Sequence, residues 1–84
     1  MRRVYKYPVP IEDRAVVQMP RGAQVLHFGE QHGELCVWAV VDPGQPLTPR
    51  AFRIVGTGHR VPDTPWLATV PMQDNHLVWH IFDA

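Results

Sequence analysis

Nine prolines and six glycines interrupt this 84-residue chain so often that no window of eleven or more residues combines helical spacing with freedom from both. Between the interruptions lie short runs rich in Val, Ile, Phe and Trp, side chains that suit a pleated, half-buried surface. The pattern predicts an all-β fold, a small antiparallel barrel or sandwich of about five to seven strands with little or no helix. The expected strands are Arg2–Tyr7, Arg14–Met19, Gln24–Glu30, Glu34–Val41, Arg50–Val55, Trp66–Pro71 and His76–Phe82. Pro20 leads a turn in "MPRG", and "DPGQPLTP" at 42–49 reads as the longest irregular connection.

Two hairpins follow from their turns. His32-Gly33 as a two-residue turn sets Phe28 opposite Val37 and His27 opposite Trp38. One face then carries Leu26, Phe28, Leu35, Val37, Ala39 and Val41, a core face. The other carries Val25, His27, Cys36, Trp38 and Val40. Asp74-Asn75 as a type I′ turn sets Val70 opposite Trp79 and Thr69 opposite His80. There the core face is Trp66, Ala68, Val70, Met72, Leu77, Trp79 and Ile81. The second face, with Leu67, Thr69, Pro71, Val78, His80 and Phe82, is again apolar with one imidazole in its middle. A slip of one residue would exchange the faces.

A chain of this length is expected to form one domain, 1–84, and to bury only about 60–65% of its unfolded surface. Its one cysteine, Cys36, rules out an internal disulfide and fits a reducing, cytoplasmic setting. Extra burial is then expected from a partner, most simply a second copy of the chain. Lys plus Arg balance Asp plus Glu at eight each, and the basic residues are scattered, unlike the clustered patch of a general nucleic-acid binder. No apolar run approaches the roughly 20 residues of a membrane-spanning helix, and no signal-peptide core follows the basic N-terminus.

The chemistry-bearing stretch is "VGTGHRV" at 55–61. Two glycines let backbone amides turn inward on an anion, Thr57 adds a hydroxyl, and Arg53 and Arg60 flank the corner with guanidinium groups. The bland alternative is a turn that needs glycine at positive φ twice. The lysine and following helix of a nucleotide P-loop are both missing. His32 and His76 fall at hairpin turns and are expected in solvent. His27, His59 and His80 are the histidines of interest. Scattered as they are, they make poor metal ligands, and no metal or cofactor is expected. His59 with His80 would suit acid–base cleavage of a phosphodiester. Alternatively, each mid-strand His simply donates to nearby backbone. Trp38 would stack a base beside the corner. Cys36 reads as a buried structural thiol, and the acidic residues form no usable catalytic pair.

The run "KYP", "MPRGAQVLHFGEQHGELCVWAVVD", "FRIVGTGH", "ATV" and "LVWHIFD" resembles a family of small uncharacterised domains found in tailed phages and actinobacterial genomes. The likeness covers nearly the whole chain. Its most specific pieces are Met19-Pro20 with Gly22, Val37-Trp38-Ala39, Thr57-Gly58-His59 and Val78-Trp79-His80. It implies a phage or prophage setting and no mechanism. Small phage proteins without a catalytic signature are often inhibitors of host defences or accessory virion parts.

The resulting expectation is a binding protein, leaning away from an enzyme. It would sequester a small anionic, nucleotide-derived signal as a homo-oligomer in the host cytosol, as a phage anti-defence protein. Trp38, Arg53, Thr57, Gly58, His59, Arg60, Thr69 and His80 would hold the ligand. The alternatives are a metal-independent phosphodiesterase using His59 and His80, and a non-catalytic protein-binding or virion accessory protein.

Overall fold

The computed structural model describes residues 1–84. It has seven strands and no helix: β1 (Arg3–Pro8), β2 (Arg14–Pro20), β3 (Gln24–Gln31), β4 (Glu34–Val41), β5 (Leu47–Gly56), β6 (Trp66–Met72) and β7 (Leu77–Asp83). All pair antiparallel, in a three-stranded sheet of order β1-β4-β3 and a four-stranded sheet of order β2-β5-β7-β6. The sheets stack without closing, which makes a sandwich of the two architectures expected. The chain crosses between sheets at 9–13, 21–23 and 42–46.

Both hairpin registers follow from their turns. His32 and Gly33 both take positive φ, the condition for a type I′ turn, whereas in the second hairpin Gln73, Asp74 and Asn75 all do, and the connection is a four-residue loop, 73–76, that keeps the expected register. Phe28 faces Val37, His27 faces Trp38, Val70 faces Trp79 and Thr69 faces His80. Each hairpin then departs from simple alternation at its far end. The register shifts between Val25 and His27, and again between Trp66 and Ala68. A bulge sets two residues against one and resets which side chains face inward. Leu26 and Trp66, expected in the core, are turned out, at 53% and 61% exposure. Val25 and Leu67 pack against the core in their place.

The connection at 42–46 is also shorter than expected, because β5 begins at Leu47 and pairs with β2 from there on. Pro49 is tolerated inside the strand for a geometric reason. Its nitrogen points away from β2, toward a side that β7 does not reach, since β7 ends opposite Phe52. The longest irregular connection is instead 57–65, which carries the histidine corner.

The core between the sheets is wholly apolar: no polar or charged residue is buried. Phe52 lies at its centre, edge-on to Phe28 across the sandwich with ring centroids 5.1 Å apart. Val9, from the β1–β2 crossing, is drawn in by a bond from its N–H to the Leu35 carbonyl at 2.8 Å. Cys36 is buried, its thiol 3.6 Å from the Glu34 carbonyl.

Tyr7 packs against this core. Loss of water around the ring, with Tyr5 alongside, raises its hydroxyl pKa above the ordinary 10.0. In the unfolded chain Tyr7 ionises near its ordinary value, while the fold holds it neutral. Its contribution to stability is therefore complete below about pH 10 and lost as the pH rises through the higher folded value. Tyr7→Phe should lose less stability than wild type between about pH 9 and about pH 11 in urea titrations. Equal losses would show that Tyr7 is not desolvated.

Candidate functional site

Strand β5 is longer than the start of β2, and that mismatch makes the site. The last β2–β5 pair is Arg14 with Arg53. Beyond it the Asp13 carbonyl accepts from the Ile54 N–H at 3.3 Å and from the Arg53 Nε–H at 3.0 Å, which ends the ladder and fixes the guanidinium. Antiparallel bonding directions alternate along a strand. Since the Ile54 N–H points toward β2, the Gly56 N–H points the same way, where β2 no longer runs.

Gly56 begins a tight turn through Thr57 and Gly58, closed by the His59 N–H on the Gly56 carbonyl at 3.2 Å. Only Gly58 takes positive φ, at 91°, so the turn needs glycine for that reason once, not twice. At Gly56 the matter is room, and a side chain would fit only if the His59 ring gave way by a few tenths of an ångström. A Cβ there would lie 3.3 Å from the His59 ring and 3.5 Å from the Trp79 ring. The imidazole therefore rests on the Gly56 backbone, beside the indole that pairs with it from β7.

Two hollows adjoin, sharing Gly56, His59 and Trp79 as a common wall. The first, about 560 Å³, holds Asp13, Arg53 and Arg60 along its rim. The second, about 460 Å³, is lined by Thr57, His76, Leu77 and Val78. Both fall within the size range of small-molecule sites. Leu77, expected in the core, is exposed at the hairpin end and belongs to this second wall.

The first hollow carries more positive than negative charge. The chain's one ion pair, Arg50 with Asp83 at 3.3 Å, lies elsewhere. Arg60 has no intramolecular partner, and the terminal nitrogens of Arg53 are free. Arg14 and Arg53 stand directly opposite each other with no carboxylate between them. Like charges in that position destabilise a sheet. The Trp79 indole N–H is shut off from solvent with no acceptor, the one buried side-chain N or O atom left so. An unmade bond of that kind costs about 1–3 kcal/mol.

On the outer face of the four-stranded sheet runs a chain of hydrogen bonds. Trp66 Nε1 reaches Thr69 Oγ1 at 3.1 Å, Thr69 Oγ1 lies 2.9 Å from His80 Nδ1, and His80 Nε2 lies 2.9 Å from Thr57 Oγ1. Both ring nitrogens of His80 are thus engaged by threonines.

Of the residues singled out in the sequence, Arg53, His59 and Arg60 meet in the first hollow, with Gly58 shaping the turn. Thr57, Thr69 and His80 meet in the hydrogen-bonded chain. Trp38 lies apart from both. It stands on the three-stranded sheet against His27, ring centroids 5.7 Å apart, over Gly29. His27 therefore stands apart from His59 and His80, and no group of three or more His, Cys, Asp or Glu side chains is arranged to hold a metal ion. Asp13, His76, Leu77 and Trp79 are site residues that sequence reasoning passed over. Asp13 lies before β2 and gave no signal, and Trp79 read as core. His76 reads as a solvated turn residue, which its exposure matches, but that reading hides its place beside the second hollow.

The chain belongs to the family described as Domain of unknown function (DUF7352), whose model matches residues 1–84. No curated protein and no solved structure matches it.

Proposed function

We propose that this domain binds a small anionic ligand with an aromatic ring, a nucleotide-like molecule, and holds it without chemical change. The carrying observation is the pair of arginines that line the first hollow, Arg53 and Arg60, neither in an ion pair with a carboxylate, with Arg14 opposite Arg53 across the strand pair. A phosphate accepts well from guanidinium donors and would relieve the Arg14–Arg53 repulsion. The adjoining hollow, with Leu77, Val78 and the Trp79 ring, offers an apolar wall for a base. One ligand bridging His59 would use both. The Trp38 role expected from sequence passes to Trp79 in this reading.

Binding without turnover is favoured over a paired-histidine phosphodiesterase because His80 has neither ring nitrogen free for a substrate. In a phage, holding a nucleotide signal in this way would blunt a defence that depends on it.

Titration calorimetry with ADP, pyrophosphate, adenosine and a cyclic dinucleotide tests the reading, with chromatography of each mixture afterwards. ADP is expected to bind more tightly than pyrophosphate or adenosine, with an affinity that falls as salt rises, and to be recovered intact. Binding of none of the four would sink the proposal in favour of a protein-binding role. Conversion of any of them would make the domain an enzyme.

A further inference from the structure

The bond chain on the outer sheet face has one end whose direction is fixed by its donor. An indole nitrogen only donates, so Thr69 Oγ1 accepts from Trp66. The Thr69 hydroxyl hydrogen is then free for His80 Nδ1; in that arrangement Nδ1 accepts and the ring proton lies on Nε2. Nε2–H in turn donates to Thr57 Oγ1. Every bond runs in one direction, from Trp66 to Thr57, and aligned bonds strengthen one another. The opposite tautomer makes the same three bonds, but Thr69 then accepts twice and the bonds no longer all run one way. At the end of the chain the Thr57 hydroxyl hydrogen remains unused, on a residue that lines the second hollow.

We propose that Trp66, Thr69 and His80 are positioning residues that fix Thr57 as an outward hydrogen-bond donor, so that Thr57 selects ligands whose ring portion carries an acceptor, a carbonyl oxygen or a ring nitrogen. The selection rests on the nucleotide-like reading above; the polarity of the chain does not. It also gives Trp66 a reason to be held by its N–H while its ring stands 61% exposed.

Two measurements on the full chain test this. Long-range proton–nitrogen correlation spectra of the unliganded protein above neutral pH should show His80 as the Nε2–H tautomer. Thr69→Val should shift it to a tautomer mixture while the rest of the spectrum keeps its dispersion. In calorimetry, Thr57→Val should bind ADP about three- to tenfold more weakly than wild type, the loss of one neutral hydrogen bond. Its affinity for pyrophosphate should not change, and Thr57→Ser should restore the affinity for ADP. An Nδ1–H tautomer in the wild type would overturn the positioning chain whatever binds. Unchanged ADP affinity in Thr57→Val would overturn the role of Thr57. A wild type that leaves ADP free would remove the nucleotide reading and the selection by Thr57 together, while the tautomer still decides the chain's polarity.

Discussion

Phe52→Ala should cost about 3–5 kcal/mol, the range for removing a buried aromatic ring. A chain of 84 residues has only about 4–13 kcal/mol of stability in total, so this substitution removes about a quarter of it or more. The ring is 0% exposed and lies at the contact between the sheets. It meets the Phe28 ring edge-on at 88°, and the Arg50 guanidinium sits 4.9 Å from its centroid. Deleting it opens a void that two pleated sheets cannot close without sliding over each other. It also removes the face on which Arg50 rests before reaching Asp83. The Arg50–Asp83 pair is partly solvated and does little by itself, about 0–1 kcal/mol; the cavity is the dominant loss. Urea titration followed by far-UV circular dichroism measures the effect. Leu47→Ala, at a site 65% exposed on the same strand, should stay within about 0.5 kcal/mol of wild type. A loss below about 1 kcal/mol for Phe52→Ala would mean that the two sheets do not pack through this ring.

The strands were legible because proline and glycine mark their ends and because two turns fix two registers. His32-Gly33 and Asp74-Asn75 each demand positive φ at paired positions, and alternation then sorts every neighbour until something breaks the count. The breaks are the bulges at Leu26 and Leu67. Neither carries a glycine or proline, so nothing local announces them. Both lie on β3 and β6, the strands through which the two sheets touch, a relation that only the tertiary structure sets up. The site was legible in part for the same reason. "GTGH" is a local signal, and it located the turn, His59 and Arg60. That Arg53 would face Arg14, or that Asp13 would end the ladder, depends on where β2 begins relative to β5, and no stretch of the sequence encodes that offset. Trp38 shows the complementary failure: its strand was placed correctly, yet which sheet that strand joins is a matter of topology.

Replacing both Arg53 and Arg60 by Gln should abolish measurable ADP binding while leaving the fold in place. Each guanidinium bond to a charged ligand is worth about 1.5–3 kcal/mol, so each single variant should bind about ten- to a hundredfold more weakly. The effect on stability separates binding from structure. Arg60 has no partner within the chain, so Arg60→Gln should leave the unfolding midpoint unchanged. Arg53→Gln gives up one bond to the Asp13 carbonyl and also relieves the repulsion from Arg14 across the strand pair. These terms oppose each other at about 0.5–1.5 and about 0.2–1 kcal/mol, and the net change should lie between a gain of about 0.5 and a loss of about 1.3 kcal/mol. A structural role for Arg53 would instead show as a lowered midpoint with unaltered affinity. Calorimetry with ADP and urea titration on the same samples distinguish the two. Because Arg14 and Arg53 repel each other most when no anion lies between them, ADP should raise the wild-type midpoint by more than it raises that of Arg14→Gln. Equal shifts in the two proteins would show that the bound phosphate does not lie at the Arg14–Arg53 pair.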